Sequence, residues 1–269
     1  MILYKYHGAG NDFLIGDNRQ GKCSLNISEI SKICDRHIGF GADGIMFLEN
    51  SDKAAFSMKY YNSDGSGGMM CGNGGRCIVA FAADLGYTSF EFEASDGLHK
   101  AELLRGGNPK LVRLKLKDVS NVVRISNSEY FLDTGTRHYV RFVTGIKNYK
   151  VLEEGTIIRH KSCFAPEGTN ADFVEVLQDK LQIRTFEKGV EGETLACGTG
   201  IVAAAISANI SGIPPEKTDI DGRVHYSVQA AIDTLSVDFY VGADKSSFND
   251  IWLTGPAEYI CNVEFTAKL

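Results

Sequence analysis

The sequence predicts an α+β protein of two pseudo-symmetric halves, each a barrel-like, mostly antiparallel sheet wrapped around a central buried helix. Three observations carry that expectation. Short runs alternating apolar and polar residues recur along the chain, two longer runs are apolar nearly all round, and each of those follows a Cys-Gly-x-Gly stretch. The stretches are "CGNGG" at 71–75 and "CGTG" at 197–200, with their cysteines 126 residues apart. Such a pair at matched positions points to an active site built from a duplicated unit.

The alternating runs read as strands with one buried face. They are "FSMKYY" at 56–61, "SFEFEA" at 89–94, "VRLKLK" at 112–117, "LQIRTFE" at 181–187 and "LSVDFYV" at 235–241. Short Gly- or Asn-marked turns between them favour antiparallel sheets or barrels. Residues 27–37 have helical spacing, with a capping pair in Asn26 and Glu29. Residues 150–160 are a weaker helix. "GRCIVAFAADLG" (75–86) and "GIVAAAISANISG" (200–212) are apolar on every side, the mark of helices surrounded by other structure.

The duplication extends beyond the cysteines. The same shift sets "GAGNDFLI" (8–15) against "TGTRHYVR" (134–141), and a slightly larger one sets "GADGIMF" (41–47) against "NADFVEV" (170–176). "KYYNSDG" before the first cysteine matches "RTFEKGV" before the second. The halves are then 1–118 and 119–259, with the boundary near 118–121 and the tail 260–269 returning to the first half.

A chain of 269 residues suits one large domain or two of roughly 100–150 residues. The net charge of −6, without a basic run, argues against nucleic acid as the main partner. No stretch approaches the ~20 apolar residues of a membrane span, and the N-terminus lacks the apolar core of a signal peptide. The expected location is cytoplasmic. Seven cysteines without regular spacing fit free thiols better than a disulfide framework.

A cysteine directly before a buried helix sits where unpaired backbone N–H groups and the helix dipole favour negative charge. That position is expected to lower a thiol's pKa from about 8.5 toward neutrality. The glycines allow a ligand close to the backbone, whose N–H groups suit a carboxylate. If the halves face each other, one anionic ligand lies between two thiols. A base on one face of a carbon and an acid on the other invert it, and thiolate and thiol exchange those roles on reversal. Cofactor-independent racemisation or epimerisation of an amino acid follows, with no cofactor and no metal expected.

Six motifs then carry a resemblance: "HGAGNDF" (7–13), "DRHIGFGADG" (35–44), "NSDGS" (62–66), "MCGNGGRC" (70–77), "EGETLACGTG" (191–200) and "LTGPAEYI" (253–260). Together they resemble the diaminopimelate epimerase family, over residues 4 to about 260. The resemblance implies interconversion of LL- and meso-diaminopimelate, in lysine and peptidoglycan precursor biosynthesis, by a homodimer with its active site between the halves. It implies Cys71 and Cys197 as the acid/base pair. It implies substrate binding by Asn11, Asn62, Gly72, Asn73, Asn170, Glu187, Lys188, Gly198 and Thr199, with His138 and Glu187 tuning the thiols. Four residues depart from the family pattern. Thr136 and Arg137 stand where many members have Asn-Pro, Lys188 replaces Arg, and Gly44 stands where some members have a polar side chain. They are expected at the distal end of the substrate rather than at the thiols.

Other readings compete. Cys23, Cys34, Cys77, Cys163 and Cys261 read as core or surface filler. His7, His37, His99, His160 and His225 lack the paired spacing of a zinc site. "GTGIVA" (198–203) fits a dinucleotide fingerprint, but its twin lacks the pattern and no βαβ alternation surrounds it. A racemase of another amino acid, proline or histidine in type, would share both cysteines. A thiol redox protein would instead pair them, although Cys-Gly-x-Gly is not the redox Cys-x-x-Cys arrangement.

Overall fold

The computed structural model of the chain describes residues 1–68 and 70–264, so the predicted tail 260–269 lies outside the described residues beyond Glu264. The chain divides into two compact units. One comprises Met1–Leu114 with the segment from Gly255 onward, the other Lys115–Thr254.

The first unit opens with β1 (Ile2–Gly8) and β2 (Asn11–Asp17), an antiparallel hairpin closed by the Gly8–Asn11 pair. Ala9 and Gly10 both have positive φ, 57° and 89°, the two-residue turn whose twist matches that of its strands. α1 (Ile27–Cys34) follows. Its N-terminus carries the expected capping box: Glu29 N–H donates to Asn26 Oδ1 at 3.0 Å, and Asn26 N–H to Glu29 Oε2 at 2.8 Å. The helix stops at Cys34, short of the predicted 37. There the Asp35 carboxylate accepts from His37 and Ile38 N–H and draws the chain into a turn.

β3 (Gly44–Glu49) lies parallel to β2, and β4 (Phe56–Asn62) antiparallel to β3. α2 (Gly72–Asp84) leads to β5 (Phe92–Ala94), parallel to β4, and to β6 (Gly97–His99). β7 (Ala101–Arg105) and β8 (Lys110–Lys115) form a further hairpin. α2 is buried from Asn73 to Ala82, where Ile78, Val79 and Phe81 pack among Phe13, Ile15, Met46 and Leu114. Each such apolar side chain contributes about 1.5–3 kcal/mol of burial.

The second unit repeats the order. It contains β9 (Val123–Arg124), β10 (Glu129–Asp133) and β11 (Arg137–Phe142), with β10 antiparallel to both neighbours. α3 (Val151–Arg159) crosses to β12 (Asn170–Val176), parallel to β11, and β13 (Leu181–Glu187) returns antiparallel. β14 (Gly192–Thr194) precedes α4 (Gly198–Ile210). After it come β15 (Lys217–Thr218), β16 (Val224–Gln229), β17 (Thr234–Val241) and β18 (Phe248–Glu264). β16 lies parallel to β13, and β17 pairs antiparallel with β16 and with the first part of β18. From Gly255 onward β18 belongs to the first unit, where it pairs with β1, Glu264 opposite Ile2.

Each unit is therefore a mixed sheet: hairpin, helix, hairpin, buried helix, hairpin. The sequence pointed to antiparallel pairing, and most pairs are. The parallel ones arise wherever a helix sits between hairpins, because the crossover returns the chain in the same direction. α4 touches β10, β11, β12, β13, β16 and β17. Ala203, Ala204 and Ala205 keep it thin, so strands approach from all sides and leave Ile201 through Ile206 wholly buried.

Candidate active site

Both buried helices start earlier than their apolar runs predict, at Gly72 and Gly198, which makes each cysteine an N-cap. Small residues in the first turn keep the backbone N–H groups open to a neighbour, and these are the orphan donors of a helix start.

In the first unit Cys71 Sγ accepts from Gly74 N–H at 3.2 Å. Asn73, buried, donates to Asn11 Oδ1 at 3.4 Å, and Asn11 donates in turn to Asp43. Asp43 also holds Arg36, which reaches Asp12. Beneath them lies Arg76, wholly buried, whose guanidinium donates to Asn73 Oδ1, Gly72 O and Pro256 O. Asn62 stands apart: its side chain donates to Ser66 Oγ at 3.0 Å and to none of these groups.

The second unit is more tightly wired. Cys197 is buried, and its Sγ lies 3.4 Å from Thr199 Oγ1. Thr199 Oγ1 lies 2.9 Å from His138 Nε2, and His138 Nδ1 lies 2.7 Å from Asp172 Oδ2. His138 and Asp172 are adjacent because parallel pairing of β11 with β12 sets His138 beside Asn170. Asn170 Nδ2 donates to Arg137 O at 3.0 Å, and its Oδ1 accepts from Lys188 N–H at 2.8 Å. Glu187 accepts from Thr194 Oγ1 at 2.9 Å. A Cβ at Gly200 would stand 2.5 Å from Asp172 Oδ1, so only glycine lets the helix start come this close.

Burial pushes the Cys197 thiol well above its ordinary value, with Glu187 and Asp172 adding to the effect against the Thr199 and Gly200 hydrogen bonds. This corrects the expectation that the helix start draws this thiol toward neutrality. The helix dipole is a fractional charge, whereas desolvation and two carboxylates disfavour the thiolate more strongly. Burial likewise raises the Cys77 thiol. Among the described residues no cluster of three or more His, Cys, Asp or Glu is placed to hold a metal. A cavity of about 620 Å³ in the second unit lies elsewhere, lined by Val176, Leu181, Pro214 and Tyr226, and no predicted site residue lines it.

The sequence model of diaminopimelate epimerase matches residues 3–119 and 130–226. The chain belongs to the diaminopimelate epimerase family. It is 42% identical to the diaminopimelate epimerase of Flavobacterium psychrophilum, over 97% of this chain and 98% of that one. It is 40% identical to that of Chlorobaculum tepidum, over 94% and 96%. The fold is shared with a Bacillus anthracis phenazine biosynthesis protein of the PhzF family, at TM-score 0.73 and 14% identity over 99% of both chains. A probable proline racemase from Agrobacterium radiobacter matches at TM-score 0.65 and 13% identity, over 99% of this chain and 93% of that one. Members of the diaminopimelate epimerase family are isomerases, and so is this chain.

Two departures from the diaminopimelate epimerase pattern acquire a physical account. Thr136 was expected away from the thiols. Instead its hydroxyl lies 2.9 Å from His138 Nε2 and 3.2 Å from the Oγ1 of Thr199, which is two residues from Cys197. Gly44 has no room for a side chain, since a Cβ would stand 2.5 Å from the Tyr60 ring and 2.6 Å from Tyr61 O.

Sequence reasoning missed Asp43, Arg76 and Asp172. A signal for the carboxylates was present: Ala-Asp recurs at 42–43 and 171–172 inside the matched segments. Each of those carboxylates grips a site residue on the neighbouring parallel strand, Asn11 in one unit and His138 in the other. Arg76 carried no signal, because a lone arginine inside an apolar helix gives no hint of three internal acceptors.

Proposed function

We propose that this protein interconverts LL-2,6-diaminopimelate and meso-diaminopimelate by cofactor-independent transfer of the α-proton between Cys71 and Cys197, in the supply of lysine and peptidoglycan precursors. The observation that carries the reading is the duplicated helix start, a cysteine N-cap on a buried helix in each unit. A thiolate removes the α-proton on one face and a thiol delivers another on the opposite face. Burial favours the thiol form of Cys197, which suits a proton-delivering role. The first-turn N–H groups of Gly72, Asn73, Gly198 and Thr199 are suited to the α-carboxylate as it gains enolate character. Asn11, Asn62, Asn170, Glu187 and Lys188 supply polar and charged side chains for the two ends of a diamino diacid.

The test is incubation of reduced protein with LL-diaminopimelate in heavy water. Deuterium at one α-carbon, together with formation of the meso isomer, is the expected result. Proline and histidine serve as parallel substrates. Exchange and inversion of either one, with diaminopimelate untouched, would replace the substrate while keeping the two-thiol chemistry.

A further inference from the structure

Two hydroxyls crowd one nitrogen in the second unit. His138 Nε2 has Thr136 Oγ1 and Thr199 Oγ1 each at 2.9 Å. The opposite nitrogen, Nδ1, faces Asp172 at 2.7 Å. A carboxylate only accepts, so Nδ1 carries a ring proton, and in the neutral ring Nε2 offers a single lone pair. The nearby amide of Asn170 is engaged with Arg137 O at 3.0 Å and with Thr136 Oγ1 at 3.3 Å, lying equally far from Nε2 at 3.3 Å. Two hydroxyls therefore compete for one acceptor, and each can aim its proton at one atom at a time.

Two complete hydrogen-bond patterns satisfy this cluster. With Cys197 as a thiol, its S–H points to Thr199 Oγ1, 3.4 Å away, and the Thr199 O–H points to His138 Nε2. The Thr136 O–H then points to Thr199 Oγ1 across 3.2 Å. With Cys197 as a thiolate, the Thr199 O–H turns to the sulfur and the Thr136 O–H takes its place on Nε2. Neither pattern leaves a donor idle, and no heavy atom moves between them.

We propose that Thr136 and Thr199 form a two-hydroxyl rotor on His138 that re-aims the Thr199 O–H at Cys197 whenever that thiol gives up its proton. This rests on the reading that Cys197 exchanges a proton with the substrate. The proton that leaves sulfur goes to the α-carbon, and both hydroxyl protons stay on their oxygens throughout. Thr136 is thus a positioning residue for Cys197: a hydroxyl rotates about its C–O bond and can re-aim its one proton without moving a heavy atom.

The test compares wild type with Thr136→Val, which keeps the shape without the hydroxyl, and Thr136→Ser, which keeps the hydroxyl. Thr136→Ala is a second hydroxyl-free variant should the valine not fold. Substrate-free protein is treated with iodoacetamide from neutral to alkaline pH, and the labelling of Cys197 and Cys71 is followed by peptide mass spectrometry. The expected result is roughly ten-fold slower labelling of Cys197 in the valine variant, because the Thr199 O–H can then reach the thiolate only by leaving His138 Nε2 without a donor. Cys71 is unchanged and Thr136→Ser behaves as wild type. Equal Cys197 rates in wild type and valine variant overturn the proposal, as does equal slowing at Cys71 or a wild-type Cys197 that takes no label. The assay needs no substrate. A shifted Cys197 profile in a protein that leaves diaminopimelate untouched supports the rotor and counts against the proposed substrate.

Discussion

His138 Nδ1 and Asp172 Oδ2 lie 2.7 Å apart, and both side chains are wholly buried. The second oxygen of Asp172 accepts from Thr185 Oγ1 at 2.7 Å, so the carboxylate is satisfied on both sides. A buried acid held this way orients the imidazole beside it and dictates which ring nitrogen carries the proton. In the first unit the matching carboxylate, Asp43, is half-exposed and accepts from the Asn11 amide instead of an imidazole.

Removing either member of the pair has distinct consequences. His138→Ala leaves Asp172 Oδ2 without its donor and should cost about 1.5–3 kcal/mol of stability by urea titration. Asp172→Asn keeps the size but loses the charge and the dictated tautomer. It should lower kcat roughly ten- to a hundred-fold with a smaller effect on KM. A His138→Ala protein as stable as wild type would show that the pair is not what holds this region.

Cys71→Ala and Cys197→Ala should each lower epimerisation by at least about a thousand-fold while leaving the fold intact, because each removes one acid/base group. Cys→Ser should be nearly as damaging at either position, since an alcohol is a far weaker acid than a thiol. Turnover within a few-fold of wild type in either alanine variant ends the two-thiol mechanism. Circular dichroism and thermal melts check that the variants fold.

Lys188 makes no ion pair among the described residues, while its own N–H is held by Asn170. Lys188→Ala should raise KM roughly ten-fold and lower kcat as well, the mark of a charge that binds carboxylate in ground and transition states alike. Lys188→Arg should be tolerated. An unchanged KM in the alanine variant removes Lys188 from the binding site.

Alkaline pH should destabilise the protein through its buried thiols. Burial pushes Cys34 from 9.0 up to about 11, and Asp12 and Asp43 add to it. Its folded-state pKa exceeds the unfolded one, so only the unfolded chain ionises this thiol between those values. Stability is complete below about 9 and is lost as pH rises toward about 11, by roughly 2–3 kcal/mol for this group alone. Cys34→Ala should show a flatter fall in urea-unfolding free energy over that interval. Superimposable slopes for variant and wild type would contradict the burial of this thiol.

Much of this protein is written in short stretches of chain. The capping pair of α1 needs only Asn26 and Glu29, three residues apart, and its geometry follows from the first turn of any helix. The cysteine N-caps of α2 and α4 follow from small residues ahead of runs apolar all round, and the duplication from matched motifs. What the tertiary structure decided involves residues that meet only through strand register. His138 and Asp172 are 34 positions apart and come together because β11 and β12 pair in parallel, an arrangement no periodicity announces. The position of Thr136 beside His138 and Thr199 depends on the same register and on the depth at which α4 begins. The direction of the Cys197 shift was the least legible. A helix start is a local feature and argues for a thiolate, but desolvation and the fields of Glu187 and Asp172 belong to the assembled unit and act the other way. Local chemistry is carried by neighbours along the chain, whereas burial and charge are summed over neighbours in space, and only folding chooses those.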